Sequence, residues 1–306
     1  MTALLRRLLA LAITLWAVHL ATFVLLRAAK GGPFDEARSL PPEVEAQLRA
    51  EFYLDEPLLQ QYLRAAGGAL RGDFGPSLRY RDVRVTEILA DALPISLGLG
   101  LGALGLALAI GIPAGLWAAS ARRRAADGVI RALATLLLSV PNFVIAGLAI
   151  AWFSFGLGWF PPAGGHGWTA FVLPCVCLAL PTAAQLARLA RSAALEVLDG
   201  EGPRAALARG LAPGRVRSRH VLKPALAPLL AFLGPTSAAL LTGSLVIEQV
   251  FALPGLGTHF VQAALNRDYT LAVGITVCYT ALLGTLTLLA DWAMSRVDPR
   301  VEALSG

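Results

Sequence analysis

The sequence predicts an all-α, polytopic membrane protein of six transmembrane helices, and three observations carry that prediction. Apolar residues make up 56% of the 306-residue chain, above the roughly 45–50% of ordinary globular proteins. Charged residues make up only 15%, and they gather between long apolar runs rather than inside them. Six runs reach the length that a bilayer core about 30 Å thick requires, about 20 residues in a helix.

The runs read in order as residues 8–26, 94–118, 130–156, 170–191, 228–247 and 271–294. The first follows Arg6 and Arg7, as a signal peptide would. Its apolar stretch outlasts the usual signal core of about 7–15 residues, and five more spans follow, so it reads as a retained helix. The chain then divides into a first helix (1–27), an extracytoplasmic loop or cap (28–92), a core of five helices (93–295) and a tail (296–306). Within the cap, Pro41 and Pro42 precede Glu43 to Arg49, a short helix with proline at its start. The second span carries small residues four apart, Gly98/Gly102, Gly105/Ala109 and Gly111/Gly115, which let helix backbones approach closely. That stripe serves either a subunit interface or packing within the subunit. Cys175, Cys177 and Cys278 sit in apolar runs as small hydrophobes. The first two point to different faces of a helix and do not share a metal.

Orientation follows from the short connections, because the cytoplasmic side collects Lys and Arg. Arg6, Arg7, Arg122, Arg123, Arg124, Arg131, the series from Arg188 to Lys223, Arg296 and Arg300 fall on one side. The opposite short connections hold little beyond Arg267. Both termini are therefore predicted to be cytoplasmic, with 28–92, 157–169 and 248–270 facing outward. The net charge of +6 belongs to this asymmetry. No basic patch with interleaved aromatics marks a nucleic-acid partner, and the partner of this composition is the lipid bilayer.

Several motifs carry no chemistry. Gly100-x-Gly102-x-x-Gly105 matches a dinucleotide fingerprint but lacks the preceding strand and the following acidic residue. Asp73-Phe74-Gly75 reads as a turn. The only lysines, Lys30 and Lys223, lie in no phosphate-binding loop, so any ATP hydrolysis must come from a partner. His19, His166, His220 and His259 form no metal-binding pair and no catalytic constellation. The expectation is a chain without catalytic site, metal or cofactor of its own.

The informative connection lies between spans four and five, from Glu196 to Leu211. Pro203 suits the first position of a helix and Gly210 its C-terminal cap, which leaves a two-turn helix between them. So short a helix is marginal alone and must be held by packing. Ala205, Ala206 and Ala208 leave a low surface for docking, and Arg204 and Arg209 can clamp carboxylates or carbonyls at its rim. Pro213 opens a second basic segment with Arg215, Arg217, Arg219, His220 and Lys223. From composition alone, a solvated positive-inside loop is the alternative.

This loop, residues 195–224, resembles the EAA loop of ABC importer permeases, departing from it at Gly202, Leu207 and Pro224. The resemblance implies a coupling helix that rests in a cleft of an ATPase, with Arg204, Ala205, Ala206, Arg209, Gly210 and Leu211 as coupling residues. Two further motifs, Gly72-Asp73-Phe74-Gly75-Pro76-Ser77 and Glu248-Gln249-Val250-Phe251-Ala252-Leu253-Pro254-Gly255-Leu256-Gly257 running on to Asn266-Arg267-Asp268-Tyr269, resemble the dipeptide, oligopeptide and nickel importer permeases. They match the subunit type with a large outer loop after its first helix. The resemblance implies a second homologous permease, two cytoplasmic ATPase subunits that bind ATP and Mg, an extracytoplasmic solute-binding protein, and a bacterial cytoplasmic (inner) membrane. Peptides are the expected cargo, with nickel or another small solute as the alternative. An ion-coupled secondary transporter, the reading from another class, would show a mid-span carboxylate or a repeat.

The second outer motif also has a physical reading. Pro254-Gly255-Leu256-Gly257 breaks any regular helix, and irregular backbone at this depth is tolerated only inside protein or along a cavity. An outer gate or binding-protein contact made by Glu248, Phe251, Pro254, Gly255, Gly257, Arg267, Asp268 and Tyr269 is one use, and an ordinary re-entrant connection is the other. Glu248 and Asp291 lie near span ends and read as interfacial anchors.

Overall fold

A computed structural model describes residues 2–29, 42–80, 82–122, 124–165, 167–216 and 220–297. Lys30, Pro41, Arg123, His166, Arg217, Arg219 and Arg300 lie outside them. The described residues form α1 (Thr2–Ala28), α2 (Pro42–Glu51), α3 (Leu58–Ala69), α4 (Val85–Ser120), α5 (Ala125–Ser139), α6 (Asn142–Ala149, continuing as a π-helix over Ile150–Gly156), α7 (Thr169–Leu198), α8 (Glu201–Ala208), α9 (Pro213–Val216), α10 (Leu222–Val250), α11 (Leu256–Leu265) and α12 (Tyr269–Val297).

Among the described residues, five helices are long and apolar enough to cross a bilayer, over Leu5–Ala28, Val85–Ser120, Thr169–Leu198, Pro224–Val250 and Tyr269–Ala293. The run expected as one span over 130–156 is instead two pieces, Ala125–Ser139 and Asn142–Gly156, bent by 101°. Pro141 is the cause. Its ring drives the preceding residue out of helical conformation, and Val140 is extended at φ −94°, ψ 126°. Prolines 174, 181, 228 and 235 stay inside α7 and α10. Pro228, expected at the start of span five, lies two turns within α10. Near Pro235 the hydroxyls of Thr236 and Ser237 donate to the carbonyls of Phe232 and Leu233 at 2.6 and 2.8 Å.

The chain divides into two compact units, residues 1–96 with 253–284, and residues 97–252 with 285–306. In the first, Val85, Ile88, Leu89 and Ala92 of α4 pack on Leu256 and Ala263 of α11 and on Leu271, Ala272 and Ile275 of α12. The helix expected after Pro41 is present as α2, and a second, α3, follows it. The α3 helix is tied down by the buried Gln61, whose amide donates to the carbonyls of Leu54 and Glu56 at 2.9 and 2.8 Å and accepts from Arg27 Nε at 2.9 Å.

In the second unit α7 is the central strut, packed by α5, α6 and α10. It also receives the glycine stripe of α4. A Cβ on Gly111 would fall 2.5 Å from the carbonyl oxygen of Ala183, and one on Gly115 would fall 2.3 Å from that of Ala187. Packing within the subunit therefore claims this end of the stripe, whereas a Cβ at Gly98 or Gly105 would meet nothing within 4 Å.

Candidate functional site

The loop between α7 and α10 folds as its sequence demands. Gly200 is the extended N-cap of α8, and Glu201 opens the first turn, where a carboxylate favours the positive end of the helix. Pro203 stands at the third helical position rather than the first, still within the turn whose N–H groups have no helical acceptor. At the other end Gly210 adopts φ +83°. Its N–H donates to Leu207 O at 2.9 Å, and the N–H of Leu211 donates to Ala206 O at 3.2 Å. These two bonds are the paired closure of a Schellman cap, which needs a left-handed residue where Gly210 sits.

Only Pro203 and Ala206 of α8 are buried. Ala206, at 0% exposure, faces its own subunit, so its expected place on the docking surface is corrected. A helix eight residues long must bury something to persist, and its small central side chain does so. The outward surface consists of Arg204, Ala205, Leu207, Ala208, Arg209 and Gly210, with Leu211 half-buried. Arg209 Nε reaches back to Ala205 O at 3.3 Å, a long bond that leaves most of the guanidinium facing solvent. Leu207 is an apolar knob in the middle of this surface, 48% exposed.

Residues of the two remaining motifs, at 72–80 and 266–271, meet in one place. Asp268, 1% exposed, accepts the hydroxyl of Ser77, the backbone N–H of Leu78 at 3.2 Å and that of Arg79 at 3.3 Å. It also accepts Thr270 Oγ1 at 3.0 Å and the N–H of Leu271 at 3.1 Å. One carboxylate thus caps α12 and holds the 72–80 turn against it. The single Thr270 proton is shared with Pro76 O, its nearer acceptor at 2.7 Å. The Asp73-Phe74-Gly75 segment is a turn, as expected, with Gly75 at φ +82° and its N–H on Asp73 Oδ1 at 2.9 Å. Sequence reasoning took Asp268 as a gate residue and missed that Ser77 is its partner. The only signal was that both positions sit in motifs.

Arg267 is left-handed at φ +54°, and the N–H of Asp268 donates to Ala263 O at 2.9 Å. The end of α11 therefore repeats the cap of α8 with arginine where glycine is usual. Pro254 and Gly255 do break the helical path: Gly255 is the extended N-cap of α11, and the N–H of Leu256 donates to Ser96 Oγ at 2.8 Å. Gly257 is buried, Tyr269 is buried, and the ring of His259 lies 6.5 Å from that of Tyr80. Burial lowers the His259 pKa below the ordinary imidazole value. In the other unit Phe251 caps α10 and its carbonyl accepts the N–H of Gly164 at 2.7 Å. Glu248 is fully enclosed at 0% exposure, which corrects its reading as an interfacial anchor: an anchoring carboxylate keeps its head in water.

Known proteins align with this chain along its length. The family model described as "Binding-protein-dependent transport system inner membrane component" matches residues 111–303. The oligopeptide transport system permease protein OppB of Haemophilus influenzae is 39% identical over 303 residues, covering 97% of this chain and 98% of the relative. OppB of Escherichia coli K12 is 38% identical over 300 residues with the same coverage. The dipeptide transport system permease protein DppB of Bacillus subtilis is 38% identical over 297 residues, covering 97% and 96%. Among solved structures, an inward-facing MetNI methionine ABC transporter chain superposes with a TM-score of 0.55 at 24% identity, over 69% of this chain and 94% of that one. That likeness is one of fold.

Proposed function

We propose that this chain, which belongs to the binding-protein-dependent transport system inner membrane component family, forms half of the pathway of an ATP-driven peptide importer and couples to cytoplasmic ATPases through α8. The observation that carries the coupling role is the capped, outward-facing surface of α8, anchored to its own subunit by little more than Pro203 and Ala206. Peptide cargo rests on the relatives, which are permeases for oligopeptides and dipeptides over 97% of this chain. The positive-inside pattern supports cytoplasmic termini and a cytoplasmic α8.

Two such permeases, this chain and a homologue, enclose the pathway, and two ATPases bind ATP and Mg on the cytoplasmic face. A solute-binding protein delivers cargo from outside. A population shift in the pathway requires contacts that differ between its two states. ATPase closure supplies them by moving α8, with Leu207 as the apolar contact and Arg204 and Arg209 at the rim. The test is reconstitution in vesicles with the homologous permease, both ATPases and the binding protein. ATP-dependent uptake of labelled oligopeptides is expected; uptake of nickel and not of peptides would overturn the cargo, and uptake without the ATPases would overturn the mechanism.

A further inference from the structure

We infer, resting on the importer reading, that the Asp127–Arg191 ion pair is a positioning contact that carries motion of α8 through α7 into α5, and so sets the geometry at Pro141. Asp127 stands in the first turn of α5 and is 3% exposed. Arg191 of α7 grips both of its oxygens, Nε to Oδ1 at 2.7 Å and Nη2 to Oδ2 at 2.9 Å. Arg131, one turn along α5, adds a second cation at 3.5 Å from Oδ1. Beyond Arg191, α7 continues unbroken to Leu198, and Asp199 and Gly200 lead directly into α8. Arg122, just past the end of α4, donates to both oxygens of Asp199 at 2.8 and 3.0 Å. The short α4–α5 connection is therefore stapled at each end to the stretch of α7 from which α8 emerges.

The two staples differ in strength. Both partners of Arg122–Asp199 are about half exposed, and such pairs contribute little because water and salt screen them. Asp127–Arg191 is bidentate, with the carboxylate buried and the guanidinium only partly exposed, a geometry that fixes orientation as well as distance. Stability alone does not call for it, since hydrophobic residues of similar volume serve a buried position as well or better. What a bidentate pair adds is rotational register between α5 and α7. The α5 helix ends one residue before the extended Val140 and the 101° bend. A helix locked at its base and broken at its far end turns motion of α7 into a change at the break. On the other side, Gly111 and Gly115 seat α4 directly on the α7 backbone, so α7 moves as a strut rather than flexing.

The test uses the complete reconstituted importer with two variants, Asp127→Asn and the volume-keeping double variant Asp127→Leu/Arg191→Met. Expected are normal assembly and unchanged basal ATP hydrolysis, with import and cargo-stimulated hydrolysis falling together by about 5- to 150-fold, the usual span of coupling between sites. Import at the wild-type rate by the double variant would overturn the inference, because apolar packing would then suffice. Failure of the double variant to assemble would also overturn it, by assigning the pair to folding. A wild-type complex without ATP-driven import would instead defeat the importer reading itself.

Discussion

Replacing Gly210 with alanine isolates the cap of α8 from every side-chain contact the helix makes. Gly210 sits at φ +83°, where an L-residue with a Cβ costs about 1–2 kcal/mol. A Cβ there would meet no atom within 4 Å, so the whole effect is backbone strain and none of it is a clash. An eight-residue helix has little propensity of its own to absorb that cost. If α8 is the coupling element, the cost lowers the fraction of competent α8 by about 5- to 30-fold, from the relation of about 1.4 kcal/mol per tenfold. ATP-driven uptake should fall by up to that factor, and the amount of ATPase co-purifying at low concentration should fall with it. Asn tolerates the left-handed region better than alanine, so Gly210→Asn should recover part of the loss. Undiminished uptake by Gly210→Ala, in membranes holding normal amounts of the protein, would refute the claim that a capped α8 transmits the stroke.

Three further outcomes follow from the geometry. Asp268→Ala removes the acceptor for Ser77, Leu78, Arg79, Thr270 and Leu271; the bonds from Ser77 and Leu271 are buried, and leaving a buried donor unmet costs about 1–3 kcal/mol, so the loss should appear as a lowered melting temperature in detergent and as proteolysis in the 72–80 turn. Gly115→Val drives a side chain into Ala187 O and the Ala190 Cβ, 2.3 and 2.7 Å from the first added carbon; overpacking should cost about 1–3 kcal/mol or more, while Gly105→Val, with nothing within 4 Å, should be tolerated in the same melting assay. His259 has a folded pKa held below its unfolded value by burial. The unfolded chain therefore takes up the proton first, and stability should decline as pH falls through the ordinary imidazole range near 6.5. His259→Phe should flatten that slope in melts across pH 5–8.

The membrane class, the five long helices and the capped α8 were legible because each depends on local rules: apolar run length, proline near a helix start, glycine past its end. The broken third span was signalled by Pro141 but lost in a continuous apolar run, since hydropathy averages over a proline that backbone sterics do not. The buried face of α8 was invisible for another reason. Ala205, Ala206 and Ala208 are equivalent as residues, and only tertiary packing decides that Ala206 turns inward. The length of chain between Ser77 and Asp268 hid their bond, and the same holds for Asp127 and Arg191. Glu248 was misread because a charge at a span end is ordinarily solvated, whereas here the protein encloses it.

The bond between Ser77 and Asp268 joins residues 191 apart, and the ribosome therefore sets when it can form. At about 5–20 residues per second, the turn waits roughly 10–40 s for its carboxylate to be synthesised. Throughout that interval the Ser77 hydroxyl and the Leu78 N–H lack their carboxylate acceptor, and the first half of the protein is a nascent chain with an open latch. A ribosome stalled before residue 268 should leave that latch accessible to protease, and release of the last helix should close it.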